Sequence, residues 1–141
     1  MQTAHIVNSL MIYPNLKKDQ KEHLKEKNPN VKIICVDHEN SFYSNTKPLS
    51  YKLEVLGIDY IPKFLDESLI DEIITVNDND SFESCRKLAK EQGLLVGGSA
   101  GGVYTALLKY SSQLRKEDLV VCLFADSGKQ YLSKIFVLLN K

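Results

Sequence analysis

The residues best suited to chemistry are a run of glycines around one serine: Gly97, Gly98, Ser99, Ala100, Gly101 and Gly102. They lie between a short apolar piece at 94–96 and a helical pattern reaching about residue 114. Glycine tolerates left-handed backbone angles and lets a ligand approach the main chain. A helix start adds free N–H groups and the positive end of the helix dipole. Ser99 would occupy or adjoin the N-cap, near the carboxyl end of a strand, where open α/β sheets hold their ligands. On these residues alone, a tight turn with a capping serine explains the segment about as well as a binding site does.

Other reactive side chains form no constellation. His5, His23 and His38 make neither an HxxxH nor an HExxH pattern, and His23 sits in a charged stretch that reads as solvated. Cys35, Cys85 and Cys122 are too widely spaced for CxxC chemistry, and their odd number argues against a closed disulfide framework. Cys35 and Cys122 fall inside apolar runs and read as core thiols. No metal site is expected from this pattern.

The chain that must position these groups has 141 residues, 43% apolar and 26% charged, which places it in the ordinary globular class with one domain. Its 18 basic and 18 acidic residues balance, so no long-range field favours nucleic acid or an anionic membrane as partner. Residues 1–16 read as an irregular segment with neither a basic n-region nor a sustained apolar run. Neither a signal peptide nor a membrane anchor is expected there, and a cytoplasmic location is the default.

From residue 17 to 27, KKDQKEHLKEK carries charge on most faces, which predicts an exposed helix stopped by Pro29. The β-branched run at 31–37, VKIICVD, predicts a strand covered on both faces. After an irregular aromatic stretch, EIITV at 72–76 predicts a second strand. A helix follows in which Asp78 or Asp80 serves as cap, Phe82, Cys85, Leu88 and Ala89 form the apolar stripe, and Gly93 is the stop. Residues 94–96 read as a third extended piece, 119–125 as a further buried strand, and 131–139 as a last helix. Alternating strands and helices predict an α/β fold, a sheet of mainly parallel strands with helices on both faces. Fully buried strands in so small a number also imply that covering elements are missing.

Several of these segments, taken in order, resemble one family. GLLVGGSAGG is similar to the GLLxGGSxG segment of cystathionine β-synthase and its cysteine synthase relatives, which depend on pyridoxal 5'-phosphate (PLP). Upstream, LKEKNPNVKIICVDHENS resembles the family's LKEKNPxxKIIGVDPxGS, and YKLEVLGIDYIPKFLDESLIDEIITVND resembles its YxxEGIGxDFIPxxLDxSxVDExxxVxD. Downstream, LVVCLFADSGKQYLSKIF is similar to VVxxLPDSGxxYLSKxF. The likeness runs from Leu24 to Phe136. It identifies 17–141 as the C-terminal part of such an enzyme, the C-terminal half of a fold type II, three-layer α/β architecture.

The resemblance implies that Ser99 faces the pyridine nitrogen of PLP, with Gly97, Gly98 and Asp126 around the cofactor. It also implies that the family's EGIG turn beside the substrate maps onto Glu54, Val55, Leu56 and Gly57. A hydroxyl does not hold the ring nitrogen protonated as a carboxylate would, which suits elimination of a β-substituent. In the family, a thiol then replaces that substituent on serine or O-acetylserine. The Schiff-base lysine of the SxKDR-type motif and the GTGGT-type phosphate loop have no counterpart here. Lys18-Asp19 echoes the lysine motif only superficially. No catalytic residue is therefore assigned, and stable PLP binding by this chain alone is not expected. The family's N-terminal half or a full-length relative is the expected partner, with self-association compatible and an amino-acid substrate only in a completed site. Val55, Ala125 and His38 depart from the family pattern, Val55 most seriously, because a β-branched residue resists positive φ and fills space beside a ligand. A non-catalytic module pairing with a relative, and an anion-binding domain built on the glycine turn, are the alternatives.

Overall fold

The computed structural model describes residues 8–12, 18–45, 47–54, 56–57 and 66–137. Four parallel strands form one sheet: β1 (Asn8–Ile12), β2 (Lys32–His38), β3 (Glu72–Val76) and β4 (Leu119–Cys122), in the order β3-β2-β1-β4. The registers pair Ser9 with Lys32, Asn8 with Leu119, and Ile34 with Glu72. Helix α1 (Lys18–Lys27) joins β1 to β2, α2 (Asp78–Gln92) and α3 (Gly98–Tyr110) lie between β3 and β4, and one turn, α4 (Leu132–Ile135), closes the described chain.

Alternation along β2 sends successive side chains to opposite faces. Ile34 and Val36 face α3, where they cluster with Val76, Val103, Ala106 and Tyr110. Ile33 turns the other way and packs with Val31 against Leu24 of α1. The sheet therefore has α1 on one face and α3 on the other, with α2 packed on α3 through a second cluster of Cys85, Leu88, Ala100, Ile135 and Phe136. The expected α/β class, with parallel strands and helices on both faces, is what the chain adopts.

Several local expectations are corrected. The stretch 1–16, read as irregular, contains β1, which sits between β2 and β4. Residues 94–96 form no strand; only Val96 makes a bridge, antiparallel to Ser127, because Gly93 and Gly97 leave three residues and no neighbouring strand. The run expected as a buried strand over 119–125 ends at Cys122 and lies at the sheet edge. Its alternate residues are open to solvent: Leu119 is 57% exposed and Val121 50%. The cap of α2 is neither Asp78 nor Asp80. Asn77, in extended conformation, accepts from the Asp80 N–H at 2.9 Å, while Gly93 ends the helix at φ 69° as expected. The last helix, expected over 131–139, opens as a 3-10 turn at Gly128–Tyr131 and continues in α4 to Ile135, while positions 138 and 139 lie outside the described residues.

α1 is charged and mostly exposed, yet Lys21 is buried. Its ammonium has no hydrogen-bond partner among the described residues, and burial pushes its pKa down, opposed by Cys35 and Asp66. The helix is held to the sheet by Lys25, whose Nζ donates to Asp71 at 2.6 Å and to the Val31 carbonyl at 2.7 Å. Asp71 also accepts from the Ile33 N–H at 2.7 Å.

The tightest interlayer contact is α2 on α3. A β-carbon at Gly101 would overlap the Ser81 carbonyl oxygen and the Cys85 sulfur. Beside it Thr105 Oγ1 pairs with Ser84 Oγ at 2.8 Å and donates to the Gly101 carbonyl at 2.9 Å, so the polar groups between the helices are satisfied. Gly101→Ala should therefore destabilise the fold by about 3 kcal/mol, as overpacking against fixed backbone does. Urea unfolding followed by circular dichroism measures this, and an unchanged midpoint would show that α2 gives way freely.

Candidate functional site

The site is built at the carboxyl ends of the strands. β4 runs out of the sheet into the turn 125–128, which lies antiparallel against 95–97. The Gly97 N–H donates to the Asp126 carbonyl at 3.2 Å and the Gly128 N–H to the Leu95 carbonyl at 3.0 Å. This contact places the start of α3 beside Asp126. The carboxylate lies directly over Gly97, where a β-carbon would collide with it.

Ser99 is not a cap. Gly97 occupies the N-cap without a side-chain bond, and Ser99 stands inside the first turn of α3. The residue is 1% exposed, and its hydroxyl donates its one proton to Asp126 Oδ1 over a long 3.4 Å, a bond weak enough for another acceptor to replace. The Gly97 carbonyl accepts from Cys85 Sγ at 3.2 Å, and burial raises the Cys85 thiol to about 11, which keeps it a donor at neutral pH. Tyr131 is the partner that sequence reasoning missed: its hydrogen bond to the Asp126 carboxylate, with burial second, raises the phenol to about 12. No spacing rule signals that pair, because a single helical turn after Gly128 brings it about.

A covering segment lies over this turn. Leu53 reaches over Gly98 and Leu56 over Gly102, each 2.9 Å from where a β-carbon would stand. Glu54 pairs with Lys134 at 2.9 Å. The segment is anchored at its start by Asp78, whose carboxylate accepts from the N–H groups of Lys52 and Leu53 at 2.9 Å each. Buried His38 stacks on Tyr51 with ring centroids 4.3 Å apart, accepts from the Asn40 N–H at Nδ1, and points Nε2 at Asp78 Oδ1, 3.4 Å away. Gly57 has φ 92°, a left-handed angle that glycine supplies, and a β-carbon there would meet the Tyr51 hydroxyl at 2.6 Å.

Thus Gly97, Gly98, Ser99 and Asp126 are brought together, Gly57 belongs to the segment that covers them, and Val55 lies outside the described residues. The Lys18 side chain is likewise outside them. The buried lysine, Lys21, lies with Cys35 on the α1 face of the sheet, across from Ser99. Among the described residues no cluster of three His, Cys, Asp or Glu is arranged to hold a metal ion, and no helix is long and apolar enough to cross a membrane.

A parallel sheet with helices on both faces and a glycine–serine turn at its carboxyl ends defines the class: a portion of a fold type II PLP enzyme. Comparison with known proteins agrees. The family model for pyridoxal-phosphate dependent enzymes matches residues 22–126. Cysteine synthase of Helicobacter pylori (strain J99) is 38% identical over 113 residues, covering 80% of this chain and 37% of that enzyme. The O-acetylserine dependent cystathionine β-synthase of Bacillus subtilis is 37% identical over 111 residues, 79% of this chain and 36% of that one. Among solved structures, an O-acetylserine dependent cystathionine β-synthase from Helicobacter pylori overlays with a TM-score of 0.83 at 32% identity, covering 93% of this chain and 44% of that one. The chain belongs to the pyridoxal-phosphate dependent enzyme family and spans little more than a third of the curated relatives it matches first.

The residues described fit one end of the cofactor. A buried hydroxyl at Ser99 suits a pyridine nitrogen, to which its single proton can turn from the long contact with Asp126, whereas the glycines beside it are filled by Asp126, Leu53, Phe82 and Leu56 and leave no open space. The aldehyde and phosphate ends need an amine and a cradle of N–H donors that these residues do not provide around Ser99.

The Tyr131–Asp126 bond can be tested directly. A phenol raised in the folded state contributes stability below its unfolded pKa of about 10 and loses it as pH rises through about 12. Asp126→Asn should lower the Tyr131 pKa, read by tyrosine-selective NMR titration, and flatten that part of the alkaline loss of stability. An unshifted Tyr131 would place the cause elsewhere.

Proposed function

We propose that this chain is the C-terminal half of a PLP-dependent β-replacement enzyme, in which a thiol displaces the β-substituent of serine or O-acetylserine. In this reading it acts only with a complementary half that carries the Schiff-base lysine and the phosphate loop. The observation that carries the reading is the Ser99 hydroxyl, buried inside the first turn of α3 and held only by one long bond to Asp126 that a stronger acceptor can replace.

In a completed site PLP serves as an electron sink for the substrate carbons. This chain's part is to hold a hydroxyl at the ring nitrogen, to keep water from it with Leu53 and Leu56, and to present the turn that includes Gly57 to the substrate. Asp126 accepts the Ser99 proton over a long contact that the ring nitrogen would replace as acceptor, and it is itself held by Tyr131. The Asp126 carboxylate also disfavours the anion-binding alternative, because a fixed negative charge beside the turn repels an incoming anion.

The test mixes this chain with a separately expressed piece of the Helicobacter pylori cysteine synthase comprising the part outside the match, and adds PLP, O-acetylserine and sulfide. The chain alone should show no turnover and the mixture should show some. Ser99→Ala should lower the rate by roughly one to two decades without preventing assembly. Turnover by the chain alone, or an unchanged rate in Ser99→Ala, would overturn the reading.

A further inference from the structure

The two faces of β4 differ. Val120, Cys122 and Phe124 pack into the core beneath α3, whereas Leu119, Val121 and Leu123 point to the other face and are 57%, 50% and 43% exposed. A parallel strand is normally covered on both sides. Among the described residues, α1 is the helix on that second face. Its contact through Leu24 lies over Val31 and Ile33 at the start of β2, with β1 intervening before β4. Among the described residues, the apolar row on β4 therefore lacks its layer.

We propose that this row is the docking surface for the apolar stripe of a helix supplied by the complementary half, lying beside α1 on the same face of the sheet. The proposal rests on the half-enzyme reading above. Two observations choose this occupant. The structure that overlays this chain at a TM-score of 0.83 is covered over only 44% of its length, so a larger body of the same fold exists to supply it. Edge-to-edge pairing with a second copy does not meet the need, because joining two β4 strands extends the sheet in its own plane and leaves Leu119, Val121 and Leu123 facing solvent. A sheet face is covered by a helical layer, and the row's spacing, every second residue, is what such a layer packs on.

The experiment uses the whole chain and the remainder of the Helicobacter pylori cysteine synthase, as above, but reads binding instead of activity. Val121→Glu should weaken association at least about tenfold by isothermal titration calorimetry, since it places a charge where an apolar side chain is buried. Leu49→Glu, an equally exposed apolar residue in the loop after β2, should leave it unchanged. Hydrogen exchange needs no substitution and covers the case of a variant that misfolds: amides of 119–123 should gain protection when the partner is added. Association that Val121→Glu leaves intact, or that adds no protection at 119–123, overturns the docking site while the half-enzyme reading stands. Leu49→Glu weakening it as much as Val121→Glu overturns the assignment to β4. No association of the parent chain overturns both, and a homodimer that protects 119–123 without the partner overturns the choice of occupant.

Discussion

Everything at the site depends on how near α3 comes to its neighbours. Gly101 lies against the Ser81 carbonyl and the Cys85 sulfur, and Gly97 lies under the Asp126 carboxylate, at separations that no β-carbon allows. Because these two backbone positions approach so closely, the first turn of α3 is clamped between α2 and the 125–128 turn. Ser99 then has no freedom to swing into solvent, and its hydroxyl is fixed relative to Asp126. A larger residue at either glycine would move the helix, and the hydroxyl would move with it. The glycines are thus a packing requirement, since the space a β-carbon would take at Gly97, Gly98, Gly101 and Gly102 is already held by a neighbour.

The same clamp explains why the site is one-sided. α3, α2 and the segment carrying Leu53 and Leu56 enclose the turn from this chain's own side, and polar groups between the helices are satisfied by Ser84, Thr105 and Cys85. Asp78 ties that covering segment to the start of α2 by hydrogen bonds and His38 stacks on its Tyr51, so it is anchored at one end by these and at the other by leucine packing. The opposite face of the sheet is covered unevenly, by one charged helix with a buried lysine, and its edge strand keeps an apolar row in water. One half of the architecture is well made and the other half is thin, as the short span relative to its relatives leads one to expect.

How much of this could be read from the sequence varied with how local the cause was. β2, β3 and α2 were legible because VKIICVD, EIITV and the stripe at Phe82, Cys85 and Leu88 announce their periods, and Gly93 supplies the left-handed cap its position demands. The turn containing Ser99 was legible as a motif, but the role of the serine was not, since N-cap and first-turn positions are two residues apart and indistinguishable by type. β1 escaped because its five residues show no clear alternation and are strand only by virtue of β2 and β4 on either side. Lys21 escaped because charge on every face of a helix hides which face turns inward. The Tyr131–Asp126 pair depends on the tight turn at Gly128–Tyr131, and the His38–Asp78 pair on a loop that brings distant residues together, neither of which spacing encodes.

The position of β1 has one more consequence. Asn8 lies beside Leu119, so the strand nearest the start of the described chain is flanked on one side by the last strand to be made. During synthesis β2, β3, α2 and α3 all emerge first and can settle against one another, while β1 waits with one row of N–H and C=O groups open. The sheet closes only after residues 119–122 leave the ribosome. Such a pairing carries a large loop-closure cost and folds late. Until then the β1 flank stands open and the core beneath α3 lacks Val120 and Cys122, which makes the nascent chain a better client for a chaperone than the folded one is.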